Sequence, residues 1–494
     1  MSNQLNFLLN QAMHYIQCAN LSGAELLLKQ ILKVKSTHSE ALRQMSLISA
    51  QRGNNDIALQ LINRAIDANK KNGILFSNKG NILSALGQYE SSIEAHKIAT
   101  KLNPSYAGGF NNLGNALQEI YDYQQAIDSY HKALLIDPNN LDFVINLGNA
   151  YWRANFFGDA IKSYRYALKI NPNHAGVNFY LGQLLLFLGC YDEGWSRYEW
   201  RWLAKENQSA PLRSSRPLWL GQSFDGCLYV WAEQGIGDQI LYASMLCGLR
   251  KYPQKKIISI EKKLLPIFER SFPDFKFIAN GVELSESEYD QQISIASLGQ
   301  YLRVNIDDFK ASQKPYLVAL QDNLKVVAAV DVPRSKGMTC GIAWRSSNNQ
   351  IGKYKSIDLI EFSKILKMDG LDFINLQYGD TYEERVSVEH STGIQIRSVD
   401  GLDLYDDVDD LLSLIDTCDF VITSSNSVAH MSGAIGKKTI LFLPFSHGKF
   451  WYWHDVDGVS LWYPSIRVFK QEKQGDWSKP IEAAKAYMED RFGI

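Results

Sequence analysis

Four glycines recur in this chain at a constant spacing. Gly80, Gly114, Gly148 and Gly182 are each separated by 34 residues. Small residues at fixed offsets from them allow two antiparallel helices to approach closely, bulky apolar residues fill the gap, and a proline such as Pro138 ends the second helix. A repeat of this length predicts a stack of helical hairpins in the first part of the chain.

Residues at matching offsets identify the type of repeat. The segments around Gly114 and Gly148 both fit the pattern of the tetratricopeptide (TPR) repeat. In the first segment the pattern residues are Leu113, Gly114, Leu117, Ala126, Tyr130, Ala133 and Pro138. Counting by 34 predicts repeats that start near residues 5, 39, 73, 107, 141 and 175, with degraded outer repeats as caps. The concave face of such a superhelix usually holds another chain.

Composition excludes several classes of function. The 494-residue chain has a formal charge of −2, which gives no basic excess for binding nucleic acid. It has no run near the roughly 18 apolar residues of a membrane span, and its start lacks a signal-peptide pattern. Its six cysteines are scattered, without metal-ligand spacing. We therefore expect a cytoplasmic protein without a nucleic-acid partner, a membrane span or a metal site.

The pattern of apolar and polar residues changes after Trp202. A polar stretch that contains Pro211 and Pro217 predicts a linker, and beyond it apolar runs of strand length alternate with helix-length segments. This alternation is typical of parallel α/β units. A linker-like piece at 331–337 divides the region into two lobes, with ligands expected at the carboxyl ends of their strands. The predicted divisions are 1–204, 205–222, 223–332 and 333–494.

The first predicted strand of the α/β region leads into a turn that contains candidate ligand-binding and catalytic residues. The run reads Glu233-Gln234-Gly235-Ile236-Gly237-Asp238 and precedes a predicted helix. Two glycines at such a turn allow backbone NH groups to approach an anionic or sugar ligand, and two carboxylates flank that spot. Asp238 also suits an N-cap, with glycines that merely tighten the turn. From these residues alone, both interpretations stay open.

A second turn of this kind occurs later in the chain. The run Ser424-Ser425-Asn426-Ser427 follows a predicted strand and begins a helix that contains His430. The free NH groups and the positive dipole end of a helix N-terminus can receive a diphosphate. Serine and asparagine are also favoured capping residues, so capping is the alternative.

Charged and aromatic segments surround these turns in the sequence. Arg345, Lys353 and Lys355 follow the first predicted strand of the second lobe, where they either neutralise a leaving nucleotide or form a solvated basic loop. The acidic run from 403 to 410 lacks the pattern of a metal site and predicts a solvated helix start. The aromatic segment 450–454 is either core or a lid over a nucleotide base.

Together these motifs resemble bacterial proteins that fuse TPR repeats to a domain similar to heptosyltransferases, which are glycosyltransferases of the two-lobed GT-B fold. The resemblance spans roughly residues 195–485 and rests on segments 232–238, 344–348, 352–356, 375–380, 425–436 and 462–467. It implies a TPR α-solenoid followed by a GT-B glycosyltransferase of two Rossmann-like lobes, the first for the acceptor and the second for the nucleotide-sugar. Heptosyltransferases typically have Asp-Thr where this chain has Ser425-Asn426, which argues against heptose as the donor sugar.

The resemblance also implies roles for individual residues. Asp238 is the expected base that takes the proton of the acceptor hydroxyl, with Glu233 in reserve. The donor is a nucleotide-sugar, and no metal or other cofactor is expected. The residues implied in nucleotide-sugar binding are Gly235, Gly237, Arg345, Lys353, Lys355, Gln377, Ser425, Asn426, Ser427 and His430.

Asparagines recur along the predicted first helices of the repeats. They form two rows, Asn78, Asn112 and Asn146, and three residues further on Asn81, Asn115 and Asn149. A side-chain amide both donates and accepts, so such rows suit the backbone of an extended polypeptide. Hydrogen bonding between repeats is the alternative. The TPR superhelix of eukaryotic O-GlcNAc transferase, which is similar in plan, uses an asparagine ladder to bind polypeptides.

The sequence and the resemblance together predict a protein O-glycosyltransferase. It transfers a sugar from a nucleotide-sugar to hydroxyl side chains of a polypeptide recruited by the TPR array, and flagellin is an acceptor of some bacterial fusions of this kind. Two alternatives stay open. One is a transferase that acts on a glycan or a lipid-linked saccharide, and the other is a non-catalytic TPR scaffold with a degenerate transferase domain.

Overall fold

The structure is a computed structural model in two compact units, Met1–Asn173 and His174–Ile494. It describes residues 2–205, 207, 209–311, 313–323, 325–326, 337–348, 351–399, 401–446 and 448–493. The division between the lobes predicted at 332/333, and most of the linker-like piece 331–337, lie outside the described residues. The domain bounds therefore stay predictions.

The first unit consists of antiparallel helix pairs. Their helices are α1 (Ser2–Gln17), α2 (Leu21–Val34), α3 (Ser39–Gln51), α4 (Asn55–Ala68), α5 (Gly73–Ala85), α6 (Tyr89–Leu102), α7 (Ala107–Glu119), α8 (Tyr123–Ile136), α9 (Leu141–Arg153) and α10 (Phe157–Ile170). From the second pair onward, the first helices begin at residues 39, 73, 107 and 141. These are the starts that the 34-residue spacing predicts.

Close approach of the two helices in a pair explains the recurring glycine. A Cβ atom on Gly114 would lie 2.7 Å from the ring of Tyr130, and one on Gly148 would lie 2.8 Å from the ring of Tyr164. Both tyrosines are fully buried. An aromatic ring of the second helix thus occupies the space that any side chain on the first helix would need, which fixes glycine at this position of the repeat.

The second unit begins with one more hairpin at the repeat spacing, residues 175–202, which we call the last hairpin. It contains α11 (Ala175–Phe187), α12 (Tyr191–Tyr198) and a 3₁₀ turn at Glu199–Trp202. Its Trp195 is buried over Gly299 and donates its indole NH to the carbonyl oxygen of Arg303, at 2.9 Å. The last hairpin is therefore built into the α/β core.

Two sheets form the rest of the second unit. The first has the order β3-β2-β1-β4 and is parallel throughout: β1 (Cys227–Trp231), β2 (Lys255–Ile260), β3 (Lys276–Ala279) and β4 (Gln291–Ser294). In its register Val230 pairs with Ile258. Part of the predicted linker joins this sheet, because the backbone NH of Trp219 donates to Gln292.

The second sheet has the order β10-β11-β12-β9-β8-β5-β6-β7. Its parallel strands are β5 (Met338–Ala343), β6 (Leu371–Asn375), β7 (Ile396–Arg397), β8 (Phe420–Ser424), β9 (Thr439–Leu443) and β12 (Ile466–Lys470), with β10 (Asp455–Val456) and β11 (Val459–Ser460) antiparallel at one edge. In β8 and β9 all residues are buried, as expected of strands covered on both faces. The predicted parallel α/β region is confirmed.

Helices connect the strands, and one more follows the last strand, β12. They are α13 (Ile236–Ala243), α14 (Leu265–Ser271), α15 (Gly299–Leu302), α16 (Ile306–Ala311), α17 (Gly352–Lys355), α18 (Leu359–Leu366), α19 (Tyr382–Thr392), α20 (Val408–Thr417), α21 (Ser427–Ala434) and α22 (Ser478–Phe492). Helix α13, which follows a strand of the first sheet, packs against α21, which follows a strand of the second. Gly237 permits this approach, because a Cβ atom there would lie 2.9 Å from the ring of His430.

Candidate functional site

A cleft of about 390 Å³ opens where β1 and β8 lead into α13 and α21. Both turns singled out in the sequence therefore line the same cavity, at the carboxyl ends of parallel strands where α/β proteins bind ligands. The residues of the wall include Gly235, Gly237, Asp238, Lys263, Ser346, Lys355, Tyr378, Tyr405, Ser425, Asn426, Ser427, His430, Phe450 and Tyr452.

Asp238 lies in the first turn of α13. It is not the N-cap, because Gly235 holds that position, so the N-cap prediction is wrong for this residue. Its carboxylate still accepts the NH of Gly235 and so supports the start of the helix. Burial raises the pKa of Asp238 to about 6, against the opposing effects of the Gly235 NH, the charge of Lys355 and the hydroxyl of Tyr452. Such a carboxylate is ionised at neutral pH and still basic enough to accept a proton.

Lys355 and His430 share the cleft wall with Asp238. Burial lowers the pKa of Lys355 to about 8, although the charge of Asp238 acts in the opposite direction. Burial, and then the charge of Lys355, lowers the pKa of His430 to about 3, so this imidazole is neutral at physiological pH. The His430 ring stacks on Trp453 at 4.7 Å, and its Nδ1 lies 3.0 Å from the hydroxyl of Tyr463.

The serine-rich turn combines capping with exposure of a helix end. Asn426 caps α21, with its Oδ1 accepting the NH of Val428 at 3.0 Å and its Nδ2 donating to the carbonyl of Arg345. The Oγ of Ser425 accepts the indole NH of Trp453 at 2.8 Å. The capping interpretation is thus correct for Asn426, while half-buried Ser427 and the first turn of α21 face the cleft.

Four predicted site residues lie away from the cleft. Both carboxylate oxygens of Glu233 are bound by buried Arg201. Arg345 directs its guanidinium to Glu384 at 2.6 Å, and Gln377 accepts backbone NH groups of the turn after β5. Lys353 is exposed, with its ammonium 4.8 Å from the ring of Tyr354. These side chains support or border the turns and do not line the cavity.

Sequence reasoning missed Lys263 and Tyr405 in the cleft wall. The ammonium of Lys263 pairs with Asp406 at 2.5 Å and lies 4.1 Å from the ring of Tyr405. Because Lys263 and Tyr405 are remote from each other in sequence, only the fold brings them together. The prediction of a solvated acidic helix start is wrong for Asp409, which forms a half-buried bidentate pair with Arg270.

The aromatic segment 450–454 lies partly in the core and partly on the cleft. Phe450 and Tyr452 line the cleft. Trp451 and Trp453 are buried, and the ring of Trp451 lies 5.4 Å from that of Trp195 in the last hairpin. The segment therefore has one side in the core and the other on the cavity, and its predicted role as a lid stays a prediction.

The asparagine rows of the first unit make hydrogen bonds within the solenoid. Asn112 donates to Ser77 at 3.1 Å and Asn146 donates to Asn111 at 2.9 Å, each in the preceding repeat. In the second row, Asn115 and Asn149 accept tyrosine hydroxyls of their own repeats at 2.6 and 2.7 Å. The remaining members are Asn78, which is buried with its Nδ2 unbonded among the described residues, and exposed Asn81. The alternative of bonding between repeats holds for Asn112 and Asn146, and peptide binding stays a prediction.

Two features are absent from the described ranges. Within those ranges, no three or more His, Cys, Asp or Glu residues are grouped so that they could hold a metal ion. No helix in the described part of the chain combines the length and the apolar character needed to cross a membrane.

Comparisons with known proteins identify the repeats. Residues 80–120 match a TPR repeat family, and residues 107–140 and 145–194 match tetratricopeptide repeat families, so the TPR prediction is confirmed. Protein FlbA of Caulobacter vibrioides is 27% identical over 333 residues, which are 64% of this chain and 55% of that protein. The alignment thus spans about half the length of this relative.

Solved structures with a likeness to part of this chain include the MamA protein, PilF and YrrB. The MamA protein is 19% identical, with 35% of this chain and 96% of that chain covered and a TM-score of 0.31. PilF of Pseudomonas aeruginosa is 16% identical, with coverages of 42% and 94% and a TM-score of 0.38. YrrB, described as a TPR protein with an unusual peptide-binding site, is 21% identical, with coverages of 34% and 86% and a TM-score of 0.30.

Proposed function

We propose that this chain is a cytoplasmic protein O-glycosyltransferase of the GT-B fold. It transfers a sugar from a nucleotide-sugar, without a metal ion, to hydroxyl side chains of a polypeptide recruited by the TPR repeats. The observation that supports the proposal most strongly is the meeting of Asp238, Lys355 and the N-terminus of α21 in one cleft. Each of these groups suits one part of a sugar transfer.

The cationic side of the cleft suits a nucleotide leaving group. With a pKa of about 8, Lys355 is protonated at neutral pH, and it lies in the wall that also holds the first turns of α13 and α21. Helix N-termini and a partly desolvated ammonium stabilise the negative charge that develops on a departing phosphate. Lys263 adds a second ammonium, partly neutralised by Asp406.

Asp238 suits the proton transfer. In a direct displacement, the acceptor oxygen forms a bond to the anomeric carbon while the bond from that carbon to the phosphate oxygen breaks. The acceptor proton passes to the carboxylate of Asp238, whose pKa of about 6 is matched to this task at neutral pH. Glu233 is excluded from this role in the proposal, because Arg201 occupies both of its oxygens.

The TPR unit suits the recruitment of a polypeptide. TPR arrays typically bind peptides or proteins. Exposed Asn115 and half-buried Asn149 each have one amide oxygen fixed by a tyrosine hydroxyl, which orients the amide group on the first helix of its repeat. Flagellin as the acceptor rests on the family resemblance and is the most specific part of the proposal.

A donor-turnover assay tests the catalytic assignment. The full chain is incubated with sugar nucleotides of UDP, GDP, ADP, dTDP and CMP, and nucleotide release is measured with and without polypeptide. Asp238→Asn should reduce turnover by about 10²–10⁴-fold while the variant still binds the donor. Asp369→Asn, an exposed aspartate of the same unit outside the cleft, is the matched control and should keep wild-type turnover. Equal turnover of Asp238→Asn and wild type would remove Asp238 as the base.

A further inference from the structure

Arg201 and Glu233 form a buried ion pair beside the cleft. The guanidinium of Arg201 is fully buried, and its Nε and Nη2 donate to the two oxygens of Glu233 at 3.0 and 2.7 Å. Nη2 also donates to Ser297 at 2.8 Å, and Nη1 donates to Glu199 at 2.6 Å. Arginine is suited to this position because its planar fork presents five NH donors in a fixed arrangement, which lysine does not have.

The ion pair joins two parts of the second unit. Arg201 belongs to the last hairpin, and Glu233 is the first residue of the turn that leads to Asp238. The next residue provides a second connection, because Gln234 donates to the hydroxyl of Tyr198 at 3.2 Å. The turn is thus held from outside by two residues of one hairpin.

The turn has a backbone conformation that needs such support. Gln234 has a φ of +65°, in the left-handed region that residues with a side chain seldom adopt. Its carbonyl accepts the side-chain NH of Gln239 at 3.1 Å, which ties the turn to α13. A strained conformation of this kind persists only when the surrounding structure fixes it.

We infer that Arg201 is a positioning residue for Asp238. By holding Glu233, it keeps the turn 233–235 in the conformation that presents the N-terminus of α13 and the carboxylate of Asp238 to the cleft. This inference rests on the proposed function for its catalytic consequence. The structural part, control of the turn by Arg201, is independent of any reaction.

Hydrogen–deuterium exchange of the full chain tests the structural part without a substrate. In Arg201→Lys, the charge is kept but the fork is lost, so backbone amides of residues 233–240 should exchange roughly tenfold faster than in wild type. The matched control is Arg250→Lys, which alters another bidentate arginine pair of the unit, with Asp274 at 2.9 and 2.8 Å. That control should leave exchange at 233–240 unchanged. Wild-type exchange of this segment in folded Arg201→Lys would overturn the inference.

Donor turnover then tests the catalytic part. Arg201→Lys should lower kcat by about tenfold or more, with a smaller change in KM for the donor and a shifted acid limb of the pH–rate profile, because Asp238 is displaced. The same kinetic changes in Arg250→Lys, whose ion pair is exposed, would show that they arise from general destabilisation and would overturn the inference. If exchange increases at 233–240 while wild type turns over no sugar nucleotide, the positioning role stands and the proposed function fails. If wild type is active and Arg201→Lys has an unchanged pH profile and kcat, the inference fails.

Discussion

The TPR unit and the cleft of the α/β unit are both built on glycines that let helices approach, but they differ in how the sequence encodes them. In the TPR unit the same contact recurs, with Gly114 under Tyr130 and Gly148 under Tyr164. In the α/β unit the contact between Gly237 and His430 occurs once and joins residues almost two hundred positions apart. A repeated contact is visible as a period, whereas a single one is visible only in three dimensions.

The two regions also use buried polar groups differently. In the TPR unit, buried amides and hydroxyls bond to one another and fix the stacking of repeats, as Asn146 does with Asn111. In the cleft, burial instead moves the pKa values of Asp238 and Lys355 towards neutral pH, raising the first and lowering the second. Polar burial thus provides structure in one region and reactivity in the other.

The pH dependence of turnover is the strongest way to test this contrast. Asp238 acts as a base above its raised pKa of about 6, so activity should rise with pH through that value. Lys355 carries its charge below its lowered pKa of about 8, so activity should fall as pH rises through that value. At pH 9, turnover by Lys355→Arg should be more than tenfold faster than turnover by wild type. Arginine stays charged at this pH, so the fall in activity on the alkaline side disappears. A profile that is flat from pH 5 to pH 9 would contradict both assignments.

Substitution of the repeat glycine should have the next largest effect, a change in the free energy of unfolding of the TPR unit. Gly114→Ala forces a Cβ atom against the buried ring of Tyr130 and should destabilise the TPR unit by about 1–3 kcal/mol. Gly158→Ala is the control, since Gly158 is the second residue of α10 and a Cβ atom there has nothing within 4 Å, so alanine should not destabilise the unit. Chemical unfolding followed by far-UV circular dichroism measures both. A stabilised Gly114→Ala variant would refute close helix approach as the cause of the glycine period.

Substitutions in the two asparagine rows should have smaller effects, on the stability of the TPR unit for one row and on acceptor binding for the other. Replacing Asn112 and Asn146 by Ala removes the bonds to Ser77 and Asn111, and each loss should cost about 0.5–1.5 kcal/mol of stability. Replacing Asn81, Asn115 and Asn149 by Ala should weaken binding of a polypeptide acceptor severalfold, with donor KM unchanged. This variant also removes the bonds that Asn115 and Asn149 accept from Tyr130 and Tyr164, so its stability is measured beside its binding. Isothermal titration with the acceptor and thermal unfolding separate the two outcomes. Equal losses for polypeptide and small acceptors in the second variant would rule out the ladder.

The sequence predicted most of the fold because its signals are local. The 34-residue period gave the helix starts, and the apolar runs gave the strands that carry the two turns. Within the site, Asp238 and the serine-rich turn were found because they lie where a strand leads into a helix, and Lys355 was found because it belongs to a segment that carries the family resemblance. Lys263 was missed because its place depends on which chain segments meet at the cleft. Glu233 was misjudged because its partner Arg201 belongs to a helical segment that the sequence assigned to the TPR superhelix.

Nucleotide binding by the full chain is the most direct test of the central claim that the cleft holds a nucleotide-sugar. A thermal-shift panel compares UDP, GDP, ADP, dTDP and CMP, each free and as a sugar nucleotide, against wild type and Lys355→Met. We predict that nucleotides of one base raise the melting temperature of wild type. At 100 times the dissociation constant, this binding stabilises the protein by about 2.7 kcal/mol. Lys355→Met should lose most of that rise in melting temperature. No shift with any member of the panel, or an equal shift in both proteins, would contradict the account.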